Sequence, residues 1–263
     1  MDFIRTKGDA MKRALGVGIS ILFLLLPAFP AAALELGARG AFWYPASDEA
    51  TIQVDNGGAA GTKFDFKDDL GVGSKAFPWI EAWFGLGKHS VTVGYFRVDN
   101  SGDETLGSTA RFNGVDFANQ HVDFDTSFRV LNLTYGYRLL DADVILAGLS
   151  LTALFDLKYL DIYSKMEGTT QSEDVTRRAV VASVGAKARA SILADLLWAK
   201  AAVLIEPFGD RTVGDFVLEL GLSPLPLLDL HLGWRTYLVK IDESDFHYNR
   251  SFHGPFVGAS LSW

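Results

Sequence analysis

The sequence predicts an all-β protein: a transmembrane, antiparallel up-and-down β-barrel of ten strands, with eight strands as the alternative. Apolar and polar residues alternate with period two in segment after segment, which places successive side chains on opposite faces of a strand. After residue 33 no continuous apolar run is long enough for a membrane-spanning helix, although 49% of all residues are hydrophobic. A closed barrel accounts for both observations, because closure satisfies every backbone donor and acceptor inside the sheet.

The N-terminal residues have the pattern of a secretory signal rather than of a strand. Lys12 and Arg13 precede an apolar run over residues 14–29, and three consecutive alanines then offer a cleavage site. We expect residues 1–33 to be an N-terminal extension and cleaved signal peptide, and residues 34–263 to be the barrel. The alternative is a retained transmembrane helix, for which the apolar run is short.

Alternation is clearest between residues 228 and 238. Leu230, Leu232 and Trp234 share one face of this segment, whereas Arg235 lies on the other. In several segments Leu and aromatic residues stay on one face over about ten residues, as expected of a lipid-facing band. The strands predicted in this way cover residues 34–45, 76–87, 89–100, 123–139, 144–162, 176–190, 196–207, 212–223, 228–241 and 253–263.

The connections between these strands alternate in length. Short connections are predicted at residues 87–88, 140–143, 191–195 and 224–227. Long, polar connections are predicted at residues 46–75, 101–122, 163–175 and 242–252, whereas residues 208–211 break the pattern with a short one. Short turns on one side and long loops on the other are typical of transmembrane barrels, and an even strand number leaves both ends of the barrel on the short-turn side.

The composition excludes several kinds of function. The sequence contains no cysteine, which rules out disulfides, thiolate metal sites, covalently attached haem and a cysteine nucleophile. A formal net charge of −8 argues against binding nucleic acid through a basic face. His89 and His121 have no second ligand at a metal-binding spacing. We therefore expect no metal and no cofactor.

The last ten residues, Gly254–Trp263, alternate in polarity and end on an aromatic residue. This segment resembles the C-terminal signal of Gram-negative outer-membrane barrels. Together with the leader and the strand pattern, it makes the chain resemble the small barrels that include the OmpA transmembrane domain and OmpW. The resemblance implies location in the outer membrane, contact with its lipid and lipopolysaccharide, and recognition of Trp263 by the barrel-assembly machinery after periplasmic chaperones have delivered the chain. It implies no activity.

The alternation also predicts which charged side chains point into the lumen. They are Glu35, Arg39, Glu81, Arg138, Asp156, Lys158, Lys187, Arg189, Lys200, Glu206, Asp215, Glu219, Asp229, His231 and Arg235. A barrel of about eight to ten strands has a narrow interior that side chains largely fill, and buried charges persist there when they are paired. Two interpretations stay open: a neutral interior closed by salt bridges, and a narrow water-filled passage.

Two pairs of titratable residues near the predicted outer rim are candidate catalytic groups. Asp123 and Asp125 share one strand face, and so do Asp245 and His247. In residue type they resemble the set with which omptin proteases activate water. General acid–base chemistry requires such groups to lie within hydrogen-bond reach of one site, so the positions of the four side chains decide the question.

The expected function is that of a non-enzymatic outer-membrane barrel, serving as a structural surface protein or as a narrow passage for ions and small solutes. The alternative is a rim-located hydrolase that resembles the omptin proteases or the lipid A deacylases. Ser251 and His253 have the residue types of the latter group, in reversed order. The aromatic residues expected at the membrane interfaces are Trp43, Tyr44, Tyr95, Tyr135, Tyr137, Tyr159, Tyr163, Trp234 and Trp263.

Overall fold

The computed structural model describes residues 34–46, 50–144, 146–206 and 211–263. Of the fourteen strands in these ranges, ten form a closed antiparallel barrel and four are short additional strands. In chain order the strands are β1 (Leu34–Trp43), β2 (Ala50–Val54), β3 (Phe64–Asp65), β4 (Phe77–Leu86), β5 (His89–Thr105), β6 (Ala110–Phe112), β7 (Val115–Phe117), β8 (His121–Val144), β9 (Ala147–Gly168), β10 (Ser172–Ile192), β11 (Leu197–Ile205), β12 (Arg211–Leu225), β13 (Leu228–Glu243) and β14 (Phe246–Ser262). The ring runs β1-β4-β5-β8-β9-β10-β11-β12-β13-β14, and β14 pairs with β1. The prediction of ten strands is confirmed, and the eight-strand alternative is wrong.

The four short strands extend the ring at one end. β2 pairs with the first residues of β14, and β3 pairs with β2, so the sheet continues beyond the point where β1 ends. β6 and β7 form a separate hairpin. Within the described ranges, no helix is long and apolar enough to cross a membrane.

Several predicted connections are strands in the structure. β8 continues through the predicted turn at 140–143 as far as Val144. The predicted loops 163–175 and 242–252 are mostly ladder, because the β9–β10 and β13–β14 hairpins extend through them. Outward residues there are polar, so the lipid-facing signature disappears while the backbone pairing persists. Residues 1–33 and most of the predicted connection 208–211 lie outside the described residues.

The two ends of the barrel differ. The tight β4–β5, β8–β9, β10–β11 and β12–β13 connections lie at the same end as the start of β1 and the finish of β14. We call this the turn end. The opposite, hairpin end carries β2, β3, the β6–β7 hairpin and the long extensions of β9, β10, β13 and β14.

An apolar belt covers the outer face at the turn end and in the middle of the barrel. Exposed leucine and aromatic side chains alternate with inward residues on every long strand, and Leu232, at 60% exposure, is typical. On β9 the belt runs from Leu149 to Tyr159. At a rise of 3.3 Å per residue and a tilt near 40°, ten residues span about 25 Å, the height of the lipid-facing band in membrane barrels.

A charged row marks the border of this belt toward the hairpin end. Arg97, Arg129, Asp161 and Arg178 lie directly opposite one another on β5, β8, β9 and β10. Asp161 is 3.8 Å from Arg129 and 3.9 Å from Arg178. Beyond this row the outward side chains are mainly polar, so the border between apolar and polar outer surface falls here.

Aromatic side chains fill the interior from the level of the charged row onward. Trp43, Phe77, Phe96, Phe128 and Phe252 are buried, and their ring centroids lie 5.1–6.5 Å apart. We call these five residues the aromatic block. Trp43 was expected at a membrane interface, and that prediction is wrong: its side chain points inward and is completely buried.

The β6–β7 hairpin closes the hairpin end above the aromatic block. Phe112 and Phe117 are completely buried, and Phe112 packs edge-on against the inward ring of Phe124 at 6.3 Å. The turn of the hairpin is fixed to the surrounding strands, since Asn113 donates its backbone N–H to the carbonyl oxygen of Val54 at 3.3 Å. The lumen is therefore covered by a cap as well as filled by side chains.

Candidate functional site

A cavity of about 910 Å³ occupies the turn-end half of the lumen. We call it the vestibule. Most of its lining residues are polar or charged, and Arg39, Trp79 and Arg235 form its inner limit, below the aromatic block. The lining includes these charged residues of the predicted lumen set: Glu35, Arg39, Glu81, Arg138, Lys187, Arg189, Lys200, Asp215, Glu219, Asp229 and Arg235.

Glu219 is the centre of the largest ion-pair network in the vestibule. Its carboxylate, 1% exposed, lies 2.8 Å from Arg39 on β1 and 2.6 Å from Lys200 on β11. His231 on β13 places Nδ1 at 3.2 Å from the same carboxylate, and Arg39 also contacts Glu81 at 2.9 Å. A buried charge is tolerated when partners replace its lost hydration, and here three strands supply them.

Arg235 separates the polar and apolar halves of the interior. Its guanidinium donates two hydrogen bonds to Asp215, at 2.9 and 2.8 Å. The same group lies 4.1 Å from the ring centroid of Trp79 and 4.9 Å from that of Trp43. A guanidinium suits this border because its edge pairs with a carboxylate while its face stacks on aromatic rings.

The remaining predicted lumen residues do not line the vestibule. Lys158 forms an ion pair with Asp156, which also accepts a 2.5 Å hydrogen bond from Thr134. Glu206 keeps one buried carboxylate oxygen without a hydrogen-bond partner among the described residues. Together with His231, these residues complete the set that the sequence analysis assigned to the lumen.

The candidate rim residues do not converge on one site. Asp123 and Asp125 point outward from β8, because the intervening residue Phe124 points into the core. Asp245 forms an ion pair with Arg177. β8 and β14 are not neighbours in the ring, so two outward groups on β8 cannot share a substrate with a histidine on β14.

His247 contacts a different set of carboxylates. Its Nδ1 atom contacts Asp242, and its Nε2 atom lies 3.8 Å from Asp55. Asp55 accepts hydrogen bonds from the backbone N–H of Gly61 and from the side chain of Gln53, which hold its pKa below the ordinary value. In the described part of the chain, no group of three or more histidine and acidic side chains could hold a metal ion.

The lipid A deacylase pair and the C-terminal residue lie at the barrel wall. Ser251 and His253 are on the outward face of β14, on either side of the inward Phe252. Trp263 exchanges two backbone hydrogen bonds with Leu36, at 2.9 and 2.8 Å, and its side chain is exposed at the turn end. The last residue therefore takes part in closing the β1–β14 seam.

The sequence pattern did not predict the pairing inside the vestibule or the aromatic block above it. A signal for the block was present, because inward positions near the hairpin end are aromatic on several strands, as Phe124 and Phe128 are on β8. Ion-pair partners leave no such signal, since Arg39 and Glu219 are 180 positions apart.

The closed ten-strand ring, the outward apolar belt and the vestibule define an outer-membrane β-barrel fold whose lumen is filled in its hairpin-end half. No protein-family model and no curated protein matches the sequence. Among solved structures the chain is similar to the outer-membrane protease OmpT of Escherichia coli, with a TM-score of 0.54, 8% identity, and coverage of 87% of this chain and 97% of that one. At this identity the likeness shows the fold alone.

Two further barrels are more distant in structure. Ail of Yersinia pestis has a TM-score of 0.36 and 8% identity, and the alignment covers 88% of this chain and 99% of that one. Neisserial surface protein A has a TM-score of 0.32 and 12% identity, with coverage of 87% and 96%.

Proposed function

We propose that this protein is a non-enzymatic structural barrel of the outer membrane that does not conduct ions or solutes. The observation that carries the proposal is the aromatic block. Completely or almost completely buried rings such as those of Trp43, Phe96 and Phe128 pack in the lumen at centroid distances near 6 Å. Rings in such contact leave no room for water between them, so the passage interpretation loses support.

The apolar belt supports the membrane location, and the length asymmetry of the connections supports the orientation. An outward band about 25 Å high is what lipid requires of a barrel. Short turns face the periplasm in such barrels, so the vestibule opens toward the periplasm and the capped hairpin end is the outer surface. As the resemblance implies, assembly would involve periplasmic chaperones and the barrel-assembly machinery.

The charged row is suited to contact lipopolysaccharide. In the proposed orientation Arg97, Arg129 and Arg178 stand where the apolar belt meets the outer leaflet headgroups. Their side chains are 42–66% exposed, and Asp161 lies at least 3.8 Å from Arg129 and Arg178, whereas Arg97 pairs with Asp99 at 2.7 Å. Guanidinium groups pair readily with phosphate, so we expect this row to contact the phosphates of lipopolysaccharide.

The hydrolase alternative has no arrangement in its favour in the described ranges. Asp123 and Asp125 face outward on β8, and His247 is engaged by Asp55 and Asp242 on the other side of the ring. A water-activating site needs such groups together.

Planar-bilayer conductance of the purified protein tests the proposal. The unmodified protein should give no discrete steps above background, whereas the double variant Phe96→Ala/Phe128→Ala should give them because two neighbouring rings of the block are removed. Phe155→Ala/Phe216→Ala is the matched control, since it removes two phenyl rings from the outer face. Regular steps from the unmodified protein would overturn the proposal.

A further inference from the structure

We propose that the vestibule binds a small zwitterion, an amine-bearing phosphate or carboxylate, with its anionic group on Lys187 and Arg189 and its ammonium on Asp143. The site lies below the aromatic block and does not depend on it, so binding and conductance can be tested separately.

Four bases from neighbouring strands form one patch on the inner wall. Lys187 lies opposite Thr152, which lies opposite Arg138. Arg189 lies opposite Lys200 on its other side. We call Arg138, Lys187, Arg189 and Lys200 the basic wall, and all four line the vestibule.

Two of these bases have acidic partners and two do not. Arg138 pairs with Asp141 at 2.7 Å, and Lys200 pairs with Glu219 at 2.6 Å. Among the described residues, no carboxylate lies within 4.0 Å of Lys187 or Arg189, and Glu35 and Glu81 act on Lys187 from a greater distance. The two side chains are on the same face of β10, about 7 Å apart along the strand. In a partly enclosed cavity their mutual repulsion is stronger than in bulk water, and a bound anion would offset it.

Arg189 is held in a position to bind. Its guanidinium lies over the indole of Trp198 at 4.5 Å. Gly221 makes room for that indole, since a Cβ atom there would lie 2.1 Å from the ring. Stacking occupies one face of the guanidinium, and its N–H groups stay available for the planar or tetrahedral oxygens of an anion. Ser150, directly opposite on β9, adds a hydroxyl.

An unpaired acid lies nearer to the mouth of the same cavity. A Cβ atom built at Gly148 would meet the hydroxyl of Ser191 at 2.7 Å and the carboxylate of Asp143 at 2.8 Å, so these two groups flank Gly148 from the two neighbouring strands. Ser191 follows Arg189 by two residues, and Asp143 is on β8, two strands from β10, so Asp143 is displaced from Arg189 by about 7 Å along the strands and by about 10 Å across them. Within the described ranges, Asp143 has no base within 4.0 Å.

Opposite charges at this separation are too far apart to pair with each other and are well placed to bind the two ends of one dipolar molecule. An anion without a positive group would be repelled by Asp143 at the mouth. A cation without a negative group could contact Asp143 but would gain nothing from Lys187 and Arg189. A zwitterion contacts both ends of the site, so we expect it to bind more tightly than either of its halves.

Titration calorimetry of the detergent-solubilised full-length protein tests the site with four probes. Phosphoethanolamine and β-alanine carry both charges, inorganic phosphate carries the anion alone, and ethanolamine carries the amine alone. We expect saturable binding of at least one zwitterion, weaker binding of phosphate and none of ethanolamine. A preference for phosphoethanolamine over β-alanine would identify phosphate as the anionic group, and the reverse would identify carboxylate. Binding of neither zwitterion overturns the proposal.

Three variants locate the site. Lys187→Gln/Arg189→Gln should weaken zwitterion binding about tenfold or more, since it removes two charge-assisted contacts. Lys240→Gln, which removes a base from the outward face of β13, should change nothing; an equal loss there would show unspecific charge attraction and overturn the site.

Asp143→Asn at the exposed mouth removes no core packing. It should lower zwitterion affinity toward that of phosphate and leave phosphate binding at least as strong. If Asp143→Asn leaves the zwitterion affinity unaltered, the role of Asp143 is refuted, and this test holds even where Lys187→Gln/Arg189→Gln fails to fold.

Discussion

Replacing Glu219 with glutamine keeps the size of the side chain and removes the charge that Arg39 and Lys200 share. Arg39 would keep Glu81 at 2.9 Å, so the loss falls mainly on Lys200. Removing one partner of a buried ion pair costs about 3–5 kcal/mol. The side chain of Lys200 is 19% exposed toward the vestibule, and water there compensates part of the loss. We therefore expect a destabilisation of about 3 kcal/mol, at the lower limit of that range.

Urea unfolding in lipid vesicles, followed by tryptophan fluorescence, measures this difference. Glu243→Gln is the matched control, because Glu243 pairs with Arg211 at 2.7 Å with both side chains about one-third exposed; an exposed pair contributes about 0–1 kcal/mol. Adding Lys200→Met to Glu219→Gln should recover most of the loss, since no unpaired lysine remains. If Glu219→Gln and Glu243→Gln cost the same, the vestibule network is solvated and the reasoning fails.

Three further perturbations test the belt, the hairpin end and the seam. Leu232→Arg puts a charge on the lipid face and should cost about 2–4 kcal/mol in vesicle unfolding; a neutral result would count against the register. Hydrogen bonds from Gly61 and Gln53 lower the pKa of Asp55, so their contribution is present above the ordinary carboxyl value of 3.8 and is lost as pH falls below it through the folded pKa. The NMR protection factor of the Gly61 amide should fall on acidification, and a fall that persists in Asp55→Asn would exclude this cause. Trp263→Gly should slow assembly into vesicles by the purified assembly machinery, and an unchanged assembly rate would refute its role as a signal.

The membrane-level part of the fold was predictable because lipid and lumen impose opposite demands on alternate residues. Leu230, Leu232 and Trp234 face outward, and Arg235 faces inward, as alternation requires. The same rule fails beyond the charged row. There water surrounds the barrel, so polar residues such as Asp125 point outward and Phe124 points inward.

β8 includes a membrane-level part and a part beyond the charged row in one continuous strand. Leu131 and Leu133 are apolar and outward, whereas Phe124 and Phe128 are apolar and inward. The apolar positions therefore switch from even to odd numbers along the strand, and this switch was visible in the sequence. Trp43 on β1 was placed at an interface because of its residue type, although it lies between the outward Phe42 and Tyr44 and alternation assigns it to the lumen. Asp123 and Asp125 share one face as predicted, but that face is the outer one.

The alternation of polar and apolar residues could not predict which charged side chains form ion pairs. Barrel closure and strand stagger decide which inward residues meet, and they bring Arg39 on β1 within 2.8 Å of Glu219 on β12. The residues left without partners, Lys187 and Arg189, follow from the same geometry. Alternation predicts the face on which a charged side chain lies. Whether that side chain has an ion-pair partner depends on how the strands are placed in the closed ring.

The aromatic block follows from the need of the hairpin end to fold in water. A barrel wall surrounded by lipid can enclose a polar interior, because its apolar side chains contact lipid on the outer face. Where the same wall extends into water, its outer face must be polar, and burial of apolar surface can stabilise it only from within. The rings of Phe96, Phe128 and Phe252 supply that burial. The packing that stabilises the extension thus also fills the lumen, and closure of the passage needs no separate gate.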